Sequence, residues 1–220
     1  MENHEEIAYD SKEEVYFTWY LEELKAYGFI KKYQYQPKPF DITEPVHAIQ
    51  IIRRVKKTRT KTVMLLRQHS YQADFLVIWE PKAKNIFFHT IDEITSGSYM
   101  RYDDLPFIAN INKEEAFSVI DVKGNFSQND AYRRFSTDQK LVFMKAKIYV
   151  QKIIPYPSID KHGKIKTPSA IFLRTFVPTR YLLTDKTRKK RIINYPHRTI
   201  QQYVSLYNEK LCGQKEELIM

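Results

Sequence analysis

Cysteine is almost missing from this 220-residue chain: Cys212 stands alone, which excludes an intrachain disulfide and fits a reducing compartment. Long apolar runs are missing as well. No stretch approaches the ~20 residues that a bilayer span requires, so no membrane partner is expected. The 6 histidines are scattered without paired ligand spacing, which argues against a structural zinc site. The opening "MENHEEIAYD" is acidic and polar, unlike a signal or transit peptide, so the expected setting is cytoplasmic. Internal repeats and low-complexity tracts are absent from the sequence.

What remains is an ordinary globular composition, 43% hydrophobic and 28% charged, long enough for one sizeable core. Its imbalance is electrostatic. A formal net charge of +10 points to a polyanionic partner, nucleic acid ahead of anionic membrane. The cations concentrate in "RRVKKTRTK" (53–61) and "KTRKKR" (186–191), where few aromatics intervene. Arg53, Arg54, Lys189 and Lys190 therefore read either as phosphate-backbone contacts or as solvated hairpin and loop tips.

Residues 11–27 form a predicted helix, with Ser11 and Glu14 in capping-box spacing and Gly28 as its stop. "FIKKYQYQPKPFDI" reads as an edge strand, because Pro37 and Pro39 cannot donate to a ladder. "HAIQIIRRVKK" and "TKTVMLLRQ" suggest a hairpin with a basic tip, and "QADFLVIWE" and "NIFFHTI" suggest further strands. Residues 92–114 lack periodicity and read as a loop or insertion. A strand over 116–123 precedes a helix, "NDAYRRFSTDQKLVFMKA", with a break expected near Ser136. "KIYVQKIIP" returns as a strand, and turn-rich sequence after Pro155 marks the expected core boundary. The plan is α+β, with a 1–155 core and a basic C-terminal extension over 156–220. That extension includes a strand-like "SAIFLRTFV" and a helix-like "RTIQQYVSLYNEKL".

The chemistry gathers at "FSVIDVKGNF" (117–126). Alternation places Phe117, Val119, Asp121 and Lys123 on one face, with Ser118, Ile120 and Val122 on the other. Charge at the tip of an apolar strand needs a partner or a solvated cleft. Asp121 and Lys123 either neutralise each other or form a working site. Asp74 opens another apolar strand upstream. A carboxylate on one strand and D-x-K on another suit metal-assisted phosphodiester hydrolysis, in which two carboxylates hold a hard divalent cation. Lysine would then orient or deprotonate water, or stabilise phosphate charge. Glu14 points to the buried face of the first helix and could add a carboxylate, although a capping box accounts for it equally; Glu13 is the fallback.

"ADFLVIWE" with "SVIDVKG", preceded by "SKEEVYFTWYLEELKAYGFI", resembles the PD-(D/E)xK nuclease superfamily. The element order through "KIYVQKIIP" is similar to small phage-encoded, Holliday-junction-resolvase-like members, over roughly residues 11–155. The resemblance implies a restriction-endonuclease-like core of mixed strands flanked by helices. It implies Mg²⁺-dependent cleavage of DNA, with Mn²⁺ as a substitute. Carried over, Asp74, Asp121 and the Val122 carbonyl would ligate metal, Lys123 would be the catalytic lysine and Glu14 the helix glutamate. The family's proline before the aspartate is Ala73 here. Gln139 and Lys140 are candidates for a polar residue near the site, and Arg133 and Arg134 for phosphate contacts. Branched DNA and a homodimer, one site per symmetric cut, complete the expectation. The rival is an inactive nuclease-fold protein that binds DNA or belongs to a virion. A nuclease acting on RNA or in transposition is a further rival, as is an accidental motif whose carboxylates lie apart.

Overall fold

The computed structural model describes residues 8–55, 57–96, 106–124, 130–183 and 191–206. Helix α1 (Lys12–Ala26) starts where Ser11 Oγ accepts the Glu14 amide at 3.2 Å. Its buried side carries Phe17, Tyr20, Leu21 and Leu24. Strand β1 (Ile30–Tyr35) follows and forms the edge of the central sheet, but the single edge strand expected through the prolines stops short of them. Pro37 and Pro39 fall between β1 and β2 (Phe40–Thr43), where no ladder donor is required of them. Strands β3 (Val46–Arg53) and β4 (Thr58–Leu66) pair antiparallel as the expected hairpin, forming a sheet of their own. β5 (His69–Tyr71) then returns to pair with β2.

The central sheet runs β1-β6-β9-β8-β7, built with β6 (Phe75–Trp79), β7 (Phe88–Thr90), β8 (Phe107–Asn112) and β9 (Glu115–Val122). A short helix, α2 (Ile91–Thr95), lies between β7 and β8. After β9 come α3 (Asp130–Ala146) and β10 (Val150–Ile153), and β10 pairs parallel to the second half of β9. The sheet is mixed, with antiparallel β6–β9 and parallel β9–β10. β9 shares its far edge, β8 taking residues 115–117 and β10 taking residues 119–122. Asn110 bridges that fork by mimicking a backbone unit. Its Nδ2 donates to the Tyr149 carbonyl at 3.0 Å, and its Oδ1 accepts the Tyr149 amide at 2.7 Å. Gln151 repeats the device, accepting the Ile108 amide and donating to the Pro106 carbonyl.

The alternation expected of β9 is observed. Ile120 and Val122 enter the apolar cluster under α1, while Val119 and Phe117 join the one containing Phe135 and Val142 of α3. A helix thus covers each face, an α+β sandwich about a mixed sheet. No helix among the described residues is long and apolar enough to cross a membrane.

Three expectations change. The 92–114 stretch is not simply a loop: it holds most of α2 and all of β8, whose Phe107, Ile108, Ala109 and Asn110 are buried. Residues 97–105 lie outside the described residues. Helix α3 continues through Ser136, which faces solvent and leaves the ladder intact. Beyond residue 155 the packing does not break. "SAIFLRTFV" forms α4 (Ile171–Arg174) and irregular chain, not a strand, and inserts Phe172 and Phe176 into the main core. Phe176 stacks on Tyr20 of α1 at 4.3 Å between centroids. Tyr181 of α5 (Thr179–Leu183) and Tyr203 in the helical stretch 200–206 join the same core. Arg191, the last cation of the 186–191 run, turns inward, 4.1 Å over the Tyr181 ring.

Candidate active site

Asp74 sits where three strands converge. Its amide donates to the Ile120 carbonyl at 3.0 Å, and its carbonyl accepts the Gln36 amide at 2.8 Å. The β6–β9 register ends with Phe75 opposite Ile120. One step further along, the ladder ends and Asp74 lies close enough to Asp121 for that charge to act on its carboxyl. On the other flank of β9, Lys152 is the register partner of Asp121. Asp74, Asp121 and Lys152 therefore form a row across β6, β9 and β10, at the end of the sheet.

Asp121 is only 3% exposed. Its Oδ1 accepts from Lys123 Nζ at 2.7 Å, while its Oδ2 is buried without a hydrogen-bond partner. A buried carboxylate oxygen without a donor is costly, and it marks a place suited to a cation or water. Asp74 Oδ2 accepts the Val122 amide at 2.6 Å. Burial and then the neighbouring Asp121 charge push the Asp74 carboxyl up to about 8, against opposing pulls from Lys123 and the Val122 amide. Two carboxylates this close resist simultaneous ionisation unless positive charge joins them. Val122 turns its amide to Asp74, whereas the sequence expectation concerned its carbonyl.

Two further residues belong to this neighbourhood, and the sequence did not single them out. Burial lowers the Lys152 ammonium from its ordinary value; Asp121 opposes that shift and Lys123 adds to it. Lys152 also lines a cleft of about 410 Å³ between α3 and β10, with Phe135, Gln139 and Arg174. Tyr71 of β5 has a buried hydroxyl without a hydrogen-bond partner. Burial, followed by the charges of Asp121 and Asp74 and the approach of the hydroxyl to the Asp121 carboxylate, raises its pKa. The signal for Lys152 was its place in "VQKII", a cation inside an apolar strand; Tyr71 carried no signal, because aromatics at strand spacing read as core.

The expected helix glutamate is engaged elsewhere. Glu14 Oε1 accepts from Ser11 Oγ at 2.8 Å, and its Oε2 accepts from Tyr35 Oη at 2.7 Å and the Asp10 amide at 3.2 Å. These bonds tie the helix start to β1, and none reaches Asp74, Asp121 or Lys123. Glu13 lies closer to the motif. Its Oε1 would be 3.5 Å from a Cβ at Gly124, and it accepts from Tyr156 Oη at 2.7 Å. Gln139 donates to the Val150 carbonyl at 2.6 Å, a bond that secures α3 to β10. Arg133, Arg134 and Lys140 are exposed on α3. Arg134 approaches Asp138 at 4.0 Å, and Asp138 accepts His69 Nε2 at 2.7 Å when that nitrogen carries the proton. Arg53 and Arg54 are exposed at the ribbon tip, far along β3 from its root; Lys189 and Lys190 lie outside the described residues.

Among the described residues no group of three or more His, Cys, Asp or Glu side chains converges as a metal cage. The donor set is instead two carboxylates, which suits a cation that keeps much of its water. No family model matches the chain, and neither the curated proteins nor the solved structures include a match.

Proposed function

We propose that this protein is a divalent-metal-dependent endonuclease that hydrolyses DNA phosphodiester bonds. The observation that carries the reading is the opposed pair of Asp74 and Asp121, with Asp121 Oδ2 lacking a donor and Lys123 at 2.7 Å from Oδ1. Oxygen donors of this kind fit Mg²⁺ or Mn²⁺. When bound, such an ion would polarise the scissile phosphate and make bound water more acidic. The chain's own contributions follow from its chemistry. Asp74 and Asp121 would hold the ion and the water around it. Lys123 swings from Asp121 to take a proton or to offset charge on the phosphate. Lys152, beside Asp121, adds positive charge on the opposite flank. Glu13 is the carboxylate of α1 best situated to help, and Glu14 caps the helix. Arg133, Arg134, Lys140, Arg53 and Arg54 contact the DNA backbone. Branched DNA as the preferred substrate, and a homodimer that makes paired cuts, rest on the family resemblance.

The test is cleavage of a labelled four-way junction and a matched duplex, with Mg²⁺ or EDTA, by wild type, Asp121→Ala and Lys123→Ala. Mg²⁺-dependent cutting that falls ~100-fold or more in both variants supports the reading. The junction-to-duplex ratio then identifies the preferred substrate. A second reading, an inactive DNA-binding scaffold, is favoured by the closed Lys123–Asp121 ion pair. Binding of all these DNAs without any cutting would select it.

A further inference from the structure

The β3–β4 ribbon is built unlike the rest of the molecule. It is a two-stranded sheet with no second layer among the described residues, and an isolated hairpin is marginal in water. Register partners share a face, so the ribbon has two. One carries Ile49 opposite Thr62, Ile51 opposite Thr60 and His47 opposite Met64. That face is open, with Ile49 72%, Ile51 60% and Met64 54% exposed. The other carries Ala48 opposite Val63, Gln50 opposite Lys61 and Ile52 opposite Arg59. Long polar stems shade its aliphatics, which are half-buried. The distal half adds exposed Arg53, Arg54 and Lys57, and between Glu44 and Asp74 the sequence has no acidic residue.

The root of this ribbon lies beside the candidate active site. β4 leads through Arg67 and Gln68 into β5, which ends three residues before Asp74. Lys145 of α3 pairs with Glu44 at 3.6 Å, and Asp138 of α3 meets His69, so both legs are anchored to the body.

We infer that the ribbon is a groove-binding arm for duplex DNA flanking the cleaved bond. The inference rests on the nuclease reading for the bond, but the arm's own chemistry selects its ligand. Pairing with a second copy, ribbon to ribbon, would bring like-charged tips together with no acidic residue in either ribbon to offset them. DNA removes that repulsion. The major groove, about 12 Å wide, admits a two-stranded ribbon, whereas the minor groove at about 6 Å is too narrow. At about 3.4 Å per residue, β3 spans about 27 Å, most of one helical turn. The open face lies against base edges, its isoleucine and threonine methyls on apolar groups such as thymine methyls. Arg53, which shares the open face, and Arg54 and Lys57 at the tip reach the phosphates on either wall.

The experiment measures binding of a fluorescent duplex by the full chain in EDTA, across a salt series, together with methylation protection of guanine N7. Replacing Arg53, Arg54 and Lys57 together by alanine is expected to weaken binding at least ~30-fold near 150 mM salt, and to flatten the slope by about 0.9 per lost phosphate contact. Ile49→Ser with Ile51→Ser is expected to weaken binding ~5-fold at an unchanged slope and to abolish N7 protection. Both variants change exposed residues, and melting curves matching wild type verify their folding. Unchanged affinity and slope in the cation variant, or no N7 protection by wild type, overturns the inference. A dimer in sedimentation that Ile49→Ser with Ile51→Ser splits also overturns it, making a second copy the occupant. Metal-dependent cutting serves as the separate readout. Cutting without ribbon-dependent binding leaves the nuclease reading and removes the arm; ribbon-dependent binding without cutting does the reverse.

Discussion

The β6–β9 pair and the β3–β4 pair are both antiparallel and rich in branched aliphatic residues, yet they have opposite fates. Phe75, Val77 and Ile120 are fully buried between helices, while Ile49 and Ile51 are exposed to solvent. Pairing and propensity are similar in the two. What differs is the third dimension: α1 and α3 cover the first pair, and no described element covers the second. A strand becomes core when something packs on its face. The exposed pair carries clustered positive charge, and the buried pair carries carboxylates at its end. Support for the candidate site and an exposed cationic surface are thus divided between two antiparallel pairs.

The comparison can be broken most forcefully through the C-terminal segment. Phe176→Ala removes a fully buried ring stacked on Tyr20 and is expected to cost about 3–5 kcal/mol, read from urea melts. A loss below ~1 kcal/mol would mean that residues beyond 155 merely lie on the core. Asn110→Ala should cost about 2 kcal/mol, because it removes both bonds that Asn110 makes to Tyr149 at the fork between β8 and β10.

Asp74 provides a test in pH. Its carboxyl, held up to about 8 by burial and Asp121, binds its proton more tightly in the folded than in the unfolded chain, where an aspartate titrates near 3.9. Stability from this group is therefore full below pH ~4 and declines as pH rises through about 8. Asp74→Asn in EDTA should be more stable than wild type at pH 8.5 by about 1.4 kcal/mol or more in urea melts, with the advantage fading toward pH 4. Mg²⁺ at pH 8.5 should raise the melting temperature of wild type and not of the variant. An advantage that grows as pH falls would contradict the opposed-carboxylate geometry. The smallest effect belongs to the ribbon. Ile51→Ala should change stability by no more than about 0.5 kcal/mol, since little is buried there. A loss like that of Phe176→Ala would show that the ribbon face is covered in solution.

Much of this architecture was readable from local pattern. The Ser11 cap, the alternation in β9, the hairpin with its basic tip and the return of β10 each announce themselves within a few residues. Asp74, Asp121 and Lys123 were readable too, and the structure gathers them at one end of the sheet. β8 was not, because "FIANIN" follows Pro106 and carries Asn110 where an apolar residue would signal a strand. Asn110 is there to bridge to Tyr149, a partner supplied by a distant segment. "SAIFLRTFV" misled in the opposite way: its strand-like residues form a helix turn and loop because aromatic packing on α1 outweighs local propensity. Glu14 had its role as a cap written locally in Ser11, and the bond from Tyr35 secures it there.

The sequence by itself determined the elements whose periodicity is local, the net positive charge, and the residue types able to hold a cation and act on a phosphate. Tertiary structure alone decided which strands were covered, that the C-terminal aromatics complete the core, and that Lys152 stands beside Asp121. Local pattern follows from backbone geometry over a few residues. Burial and the opposition of charges depend on segments far apart in the chain, and only packing brings those together.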